Sequence, residues 1–192
     1  MPYLSSKALN TLGFRHLGKN VLVSDKASIY SPESISIGDN SRIDDFCVMA
    51  GSLAIGCNVH VTVFCNLAGG RAGIELGDFS TLAYGCHIVA QTDDYSGRTM
   101  TNSTIPPDFK NETSAKVVVG AFSILGTNTI VLPGVNIGVG VASGARTTFV
   151  TDAKPWTIYV GTPAHELRDR SKDLLRLYDQ FQQIHSRVDP LQ

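Results

Sequence analysis

The sequence has almost no excess of charge, since 16 Lys and Arg residues stand against 17 Asp and Glu residues. It has no basic run that could neutralise a phosphate backbone, so nucleic acid is not expected as a partner. No stretch approaches about 18 consecutive apolar residues, and we therefore predict no membrane insertion. The first ten residues lack the charged head and apolar centre of a signal peptide, which favours a cytoplasmic protein.

Cysteine is also scarce. Cys47, Cys57, Cys65 and Cys86 never form a CxxC pair, and such sparse cysteines do not indicate a disulfide scaffold. Buried thiols that pack in a core are the favoured interpretation, and a soft-metal site is the alternative. We predict no metal site.

What the sequence does have is a repeat with a period of six residues, in which an aliphatic residue recurs and glycine follows it in about half of the units. The recurring positions are Ile37, Ile43, Met49, Ile55, Val61, Leu67, Leu76, Leu82, Ile88, Val119, Leu125, Val131, Ile137, Ser143 and Phe149. A helix would repeat every three to four residues and a hairpin sheet every 8–12, so neither explains this period. The pattern predicts short strands joined by tight corners, where glycine would tolerate a positive φ.

Three such units make one triangular turn of 18 residues, so residues 18 apart should stack as parallel strands. Cys47 and Cys65 are 18 apart and Cys65 and Cys86 are 21 apart. A three-residue slip near 69–73 brings all three into one inward column, which Thr129 and Thr147 continue.

The repeat is interrupted at 92–118, where a long loop is predicted, and loops of that length are usually functional. Ser6 and Gly13 bracket a short helix, and apolar residues at helical spacing predict a C-terminal amphipathic helix. We therefore divide the chain into an N-terminal cap (1–20), a coil of strands (21–160, with the loop 92–118) and a helical tail (161–192).

Hexads, a long loop, further hexads and Gly161-Thr162-Pro163-Ala164 before a helix resemble the hexapeptide-repeat acyltransferases. The galactoside and maltose O-acetyltransferases and the enzymes that acetylate amino sugars are the members most similar to this chain. The resemblance covers about residues 21–170 and implies an all-β fold, a left-handed parallel β-helix. It also implies a homotrimer that transfers an acetyl group from acetyl-CoA, the cosubstrate, to a small-molecule acceptor. The implied acceptor is a sugar hydroxyl or amine, such as a nucleotide-linked sugar of surface polysaccharide biosynthesis.

The same resemblance implies where CoA binds, in a cleft between neighbouring coils. The positions that match CoA-contacting stretches are Gly126, Thr127, Ser143, Gly144, Ala145, Pro163 and Arg168. Thr151 departs from the family, because many relatives have lysine there. Arg146 or Lys154 is a candidate to supply the missing charge.

A second departure concerns catalysis. O-acetyltransferases of this family use a histidine at the start of the long loop, and hexad counting puts Asp93 there. A carboxylate is a weaker general base than an imidazole unless burial or a neighbour, here Asp94, raises its basicity. Asp93 could instead be an Asx cap of the loop. His60 and His87, at outward corners, are the alternative bases.

A third possibility is that the acceptor is an amine, which attacks without a strong base. Candidate acceptor contacts are Thr62, Asn66, Arg71, Asp94, Tyr95 and Arg98. Three other functions remain open at this stage. They are a xenobiotic or amino-acid O-acetyltransferase on the same fold, a γ-type carbonic anhydrase, which needs three histidine ligands, and a non-catalytic scaffold.

Overall fold

The computed structural model describes residues 2–186, which form a coil of short parallel strands with a helix at each end. Before the long loop the strands are β1 (His16–Leu17), β2 (Leu22–Val23), β3 (Ser28–Tyr30), β4 (Ile35–Ile37), β5 (Arg42–Ile43), β6 (Val48–Ile55), β7 (His60–Val61), β8 (Asn66–Leu76), β9 (Thr81–Leu82) and β10 (His87–Val89). The loop carries β11 (Gln91–Thr92) and β12 (Thr113–Ser114), and the coil resumes with β13 (Val117–Val119), β14 (Ile124–Leu125), β15 (Ile130–Val131), β16 (Asn136–Ile137), β17 (Ala142–Ser143), β18 (Thr148–Phe149), β19 (Thr157–Val160) and β20 (His165–Asp169). Short 3₁₀ helices span Pro32–Ser34 and Pro107–Phe109.

The strands stack into three faces. The first face contains β1, β4, the second halves of β6 and β8, β13 and β16. The second contains β2, β5, β7, β9, β14, β17 and β19. The third contains β3, the first halves of β6 and β8, β10, β15 and β18. The predicted left-handed parallel β-helix is confirmed.

Three corners join the faces. The rear corner, between the first and second faces, comprises 38–40, 56–58, 77–79, 120–122 and 138–140. The front corner, between the second and third faces, comprises 44–46, 62–64, 83–85, 126–128 and 144–146. The loop corner, between the third and first faces, includes 50–52 and 68–73, and the long loop leaves the coil there.

The repeated glycines serve a different purpose from the one expected. None of those that follow an aliphatic anchor has a positive φ; the left-handed corner positions are mostly Asn or Phe. A Cβ on Gly38 would lie 2.7 Å from the carbonyl carbon of Gly56, and one on Gly120 would lie 2.5 Å from the amide nitrogen of Val139. These glycines are therefore needed for close contact between successive turns.

The cysteine column points into the coil as predicted. Cys47, Cys65 and Cys86 are at most 1% exposed, and Thr129 and Thr147 continue the column. The Cys47 thiol donates to the carbonyl of Thr62 at 3.0 Å. Interaction with Cys65 and burial both raise the pKa of the Cys47 and Cys86 thiols, so these two groups stay protonated.

The three-residue slip is also present. Val48 pairs with Asn66, 18 residues later, whereas Leu53 pairs with Ile74, 21 residues later, with the irregularity at Gly51. The long loop is shorter than predicted, because β11 and β12 pair as an antiparallel ribbon at its base and the coil resumes at Val117, one residue before the predicted end.

Both predicted end helices are present. Helix α1 (Ser6–Thr11) is capped by Ser5, whose side chain accepts from the Ala8 amide, and not by Ser6 as the sequence suggested. Helix α2 (Leu174–Ser186) packs Tyr178 and Phe181 against Phe79 of the rear corner. The predicted helix continues to 188, and its last two residues lie outside the described part.

The apolar face of α2 is only partly covered. Leu177 is 58% exposed and Ile184 is 61% exposed, although both belong to the predicted apolar stripe. No helix within residues 2–186 is both long and apolar enough to cross a bilayer.

Candidate active site

The loop corner holds a cavity of about 560 Å³, called here the loop cavity, between the third face and the long loop. The coil residues at the bottom of this cavity, Ala50, Gly51, Ala68 and Gly70, have small side chains or none. The lining residues are Ala50, Gly51, Ala68, Gly70, Gln91, Thr92, Asp93, Ser103, Lys110 and Glu112.

Asp93 and Asp94, adjacent at the start of the loop, have different surroundings. Asp94 accepts from the Ser96 amide at 2.8 Å and from the Thr99 hydroxyl at 3.0 Å. Both hydrogen bonds lower the pKa of Asp94, and the largest contribution comes from Ser96. They hold the Asp94 carboxylate in the turn. Asp93 lines the cavity and accepts one long bond, 3.3 Å, from the Asn102 amide. The Asx-turn role therefore falls to Asp94, and Asp93 faces the loop cavity.

The opposite wall of the loop cavity is polar and internally paired. Lys110 Nζ lies 2.6 Å from Glu112 Oε1, and Gln91 donates to Glu112 Oε2 at 2.5 Å. The Lys110 ammonium lowers the pKa of Glu112, so this carboxylate is ionised. Lys110 thus pairs with Glu112, whereas within residues 2–186 Asp93 takes part in no salt bridge. The pair was missed from the sequence, where Lys110 and Glu112 look like ordinary loop charges.

A second cavity of about 490 Å³, called here the front cavity, lies on the third face beside the front corner. It is lined by His87, Asn128, Ile130, Arg146, Thr148 and Thr162. His87 is in register with Asn66 on the turn below and with Ile130 above. The structure thus brings His87 and Asn66, two predicted site residues, together on the face that also borders the loop cavity.

His60 lies on the second face. It pairs with Thr81, which pairs with Ile124, which pairs with Ala142. The predicted corner position is therefore wrong for His60, and also for His87, because both lie in strands and point outward from them. Its Nε2 lies 2.9 Å from Oδ2 of Asp44, whose side chain is 4% exposed and also accepts from Arg42 Nε at 2.6 Å.

A histidine that a buried carboxylate orients has one ring nitrogen left for a proton transfer or a hydrogen bond. Asp44 was missed from the sequence. It occupies a corner position directly after Ile43, where the repeat gives no sign that the side chain will be buried.

The front corner carries four of the predicted CoA contacts, Gly126, Thr127, Gly144 and Ala145. Within the described residues, neither the Thr127 amide nor the Ala145 amide donates to a protein acceptor. Stacked turns lie about 4.8 Å apart, so these amides form two donors along the coil axis. The Gly126 amide, in contrast, donates to the Ser143 hydroxyl at 3.0 Å, which gives Ser143 an internal role.

Gly126 and Gly144, both predicted CoA contacts in this corner, are not equally replaceable. A Cβ on Gly126 would lie 2.6 Å from the carbonyl oxygen of Ser143, and hence against backbone. On Gly144 it would meet the side chain of Val160 at 3.0 Å. A bulky residue at position 126 would therefore distort the coil as well as any ligand-binding surface along this corner.

The remaining predicted residues are spread over the molecule. Thr62 is buried in the front corner, and its hydroxyl has no hydrogen-bonding partner among the described residues. Arg71 is exposed at the loop corner, and Tyr95 and Arg98 are exposed on the long loop. Pro163 follows a cis peptide bond after the last turn, and Arg168 is exposed in β20.

Within residues 2–186 no group of three or more His, Cys, Asp or Glu side chains is arranged to hold a metal ion.

No protein-family model matches the chain. The chain is 37% identical over 183 residues to dTDP-4-amino-4,6-dideoxy-D-glucose acyltransferase of Escherichia coli, a match that covers 94% of this chain and 95% of that protein. Among solved structures it is similar to AntD, an N-acyltransferase from Bacillus cereus in complex with dTDP and 3-hydroxybutyryl-CoA. That match has a TM-score of 0.94 and 39% identity, and covers 96% of this chain and 98% of that one.

A serine-to-alanine variant of AntD, in complex with dTDP-4-amino-4,6-dideoxyglucose and Coenzyme A, is similar with a TM-score of 0.93 and 40% identity over 94% of this chain and 97% of that one. A maltose O-acetyltransferase from Clostridium difficile 630 matches with a TM-score of 0.57 over 86% of this chain and 75% of that one. At 18% identity it shares the fold alone.

Proposed function

Because the chain belongs to the family of the dTDP-4-amino-4,6-dideoxy-D-glucose acyltransferase of Escherichia coli, we propose that it acylates the amine of a dTDP-linked 4-amino sugar. It is an acyltransferase that takes the acyl group from acyl-CoA and places it on a nucleotide-linked sugar. The single observation that supports an amine as the acceptor is the unpaired carboxylate of Asp93 in the loop cavity. Such a charge attracts the ammonium form of an amino sugar.

We assign the proton-accepting role to Asp93. The neutral amine attacks the thioester carbonyl carbon, a C–N bond forms, the C–S bond breaks, and CoA leaves as the thiolate. Asp93 accepts the proton that the attacking nitrogen loses, and that proton ends on the thiolate. An amine is a strong enough nucleophile that the base need only hold and relay a proton, so a carboxylate suffices where a hydroxyl would require imidazole.

The CoA arm is assigned to the front corner, where the Thr127 and Ala145 amides can donate to the amide carbonyls of pantetheine. Gly144 and Ala145 have little or no side chain there, so the pantetheine arm can approach the backbone. Ser143 supports this surface from within through its bond to the Gly126 amide. Pro163 and Arg168 remain our candidates for the nucleotide end of CoA, and Thr62, Asn66, Arg71, Asp94, Tyr95 and Arg98 for the sugar nucleotide.

Purified protein should release CoA thiol when dTDP-4-amino-4,6-dideoxyglucose is added together with acetyl-CoA or 3-hydroxybutyryl-CoA. The matched control is the same dTDP sugar with a hydroxyl in place of the amine, for which we expect no release above background. Mass spectrometry of the product locates the acyl group on nitrogen. Equal turnover of both sugars would contradict an amine-specific site. Turnover of neither, with turnover of maltose or chloramphenicol, would overturn the assignment.

We also propose that the protein is a homotrimer, which is supported by exposed aromatic rings at the front corner. Phe46 and Phe64 stack with centroids 5.2 Å apart and are 51% and 59% exposed, and Tyr84 on the next turn is 59% exposed. Stacked exposed rings are typical of a surface that a second copy covers. A role in surface polysaccharide biosynthesis and a cytoplasmic location stay predictions from the sequence.

Sedimentation equilibrium should give about three times the chain mass of 20.6 kDa. We expect Phe64→Asp to shift the protein to a smaller species, because a carboxylate cannot be buried unpaired in such an interface. Phe109→Asp is the matched control, since Phe109 is also 59% exposed but lies on the long loop. A wild-type monomer, or equal behaviour of both variants, would contradict this interface.

A further inference from the structure

One turn of the front corner lacks a side chain. The left-handed positions that stack along this corner are Phe46, Phe64, Gly85, Asn128 and Arg146. A Cβ on Gly85 would contact the side-chain oxygen of Asn128. The Asn128 side chain therefore lies over Gly85, and it also lines the front cavity.

The front cavity is lined by hydrogen-bond donors and by no carboxylate among the described residues. His87, Asn128 and Thr148 each carry a donor and Arg146 adds a positive charge, whereas the Thr162 hydroxyl donates to the Arg146 carbonyl. In the described chain Arg146 takes part in no salt bridge, whereas Lys154, the other candidate for the charge missing at Thr151, lies 2.8 Å from Glu166. Arg146 is therefore the cation that is available to a ligand.

The backbone that carries Arg146 is fixed from both sides. Its amide donates to the Thr127 carbonyl at 2.7 Å, and its carbonyl accepts from the Thr162 hydroxyl at 2.8 Å. Thr162 is in turn held close to Thr148, with their hydroxyls 3.3 Å apart. The Arg146 backbone is thus anchored beside the front cavity.

We propose that the front cavity binds a phosphate or diphosphate group of a substrate, with Arg146 as its charge and His87 and Asn128 as neighbouring donors. This rests on the proposed function, in which CoA and the sugar nucleotide both carry such a group. A planar guanidinium with adjacent neutral donors and no competing carboxylate suits phosphate oxygens. The position also fits, because Thr127 and Ala145 precede Asn128 and Arg146 in the chain and the third face connects this cavity to Asp93.

The test is isothermal titration of the full-length protein with dTDP and, separately, with CoA. We expect Arg146→Gln to raise the Kd of the ligand whose phosphate occupies the cavity about tenfold or more. Arg146→Lys should recover part of that loss, since it keeps the charge but not the planar fork. Raising the ionic strength should weaken wild-type binding more than binding to Arg146→Gln. The matched control is Lys116→Gln, which removes an exposed cation paired with Glu75 away from the cavity.

The two ligands identify the source of the phosphate. An effect on CoA alone assigns the cavity to CoA, and an effect on dTDP alone assigns it to the sugar nucleotide. His87→Gln should weaken the same ligand, and a thermal melt of each variant shows that it is folded. If Arg146→Gln binds both ligands like Lys116→Gln, the cavity is not a phosphate site, and acyl transfer stands. If the wild type binds neither ligand, the proposed function itself fails.

Discussion

Replacing Asp93 with asparagine is expected to lower kcat/KM for acylation of the amino sugar about 100-fold. The substitution keeps the shape of the side chain and its bond from the Asn102 amide, but removes the charge that faces the loop cavity. Steady-state thiol release measures the loss. Asp108→Asn is the matched control, because it makes the same chemical change on an exposed residue of the same loop.

The pH dependence separates a proton-accepting role from a structural one. If Asp93 holds the ammonium and takes a proton from nitrogen, the deficit of Asp93→Asn should shrink as pH rises, since free amine becomes abundant in solution. A deficit that is the same at all pH values would contradict this role. His60→Ala is the second variant to measure. If it loses as much kcat/KM as Asp93→Asn, the general base is His60, which Asp44 orients on the second face.

Replacing Ile88 with alanine is expected to cost about 2–5 kcal/mol of unfolding free energy. Ile88 is fully buried in β10 and stacks between Leu67 and Val131, which are equally buried. A cavity in such a column cannot close easily, because the strands above and below are fixed by their backbone bonds. Denaturant titration at one protein concentration should show a lower midpoint with an unchanged slope.

Ile124→Ala is the matched control for that measurement. Ile124 occupies a strand of the same coil but points outward and is 42% exposed. We expect its loss to stay below about 1 kcal/mol. Equal losses at the two positions would contradict the alternation of inward and outward residues on which the three-faced coil depends.

The sequence was sufficient to predict the coil, because one aliphatic residue in six must point inward for the turns to stack. The step from Leu67 to Leu76 in the repeat even located the slip near 69–73, and the distance from Cys65 to Cys86 agreed with it. The role of the repeated glycines was predicted wrongly. The pattern shows that glycine is needed at a corner, but whether the cause is a positive φ or the proximity of the next turn depends on backbone spacing that only the structure gives.

The site was less predictable than the fold. Hexad counting placed Asp93 at the start of the long loop, because position along a regular coil follows from arithmetic. It put His60 and His87 at corners, whereas both lie in strands. It did not separate Asp93 from Asp94, since which carboxylate closes the turn depends on Ser96 and Thr99. Nor did it reveal Asp44 behind His60, because residues on adjacent turns meet only after folding.

The loop corner carries both the three-residue slip and the long loop. Strand pairing resumes after each of them, since Leu53 pairs with Ile74 and Ile74 pairs with Val117. Additions at this edge therefore leave the inward columns intact. An engineer who wishes to alter acceptor choice can exchange the segment between β11 and β12 as a cassette, with β11 and β12 as its splice points, without redesigning the interior.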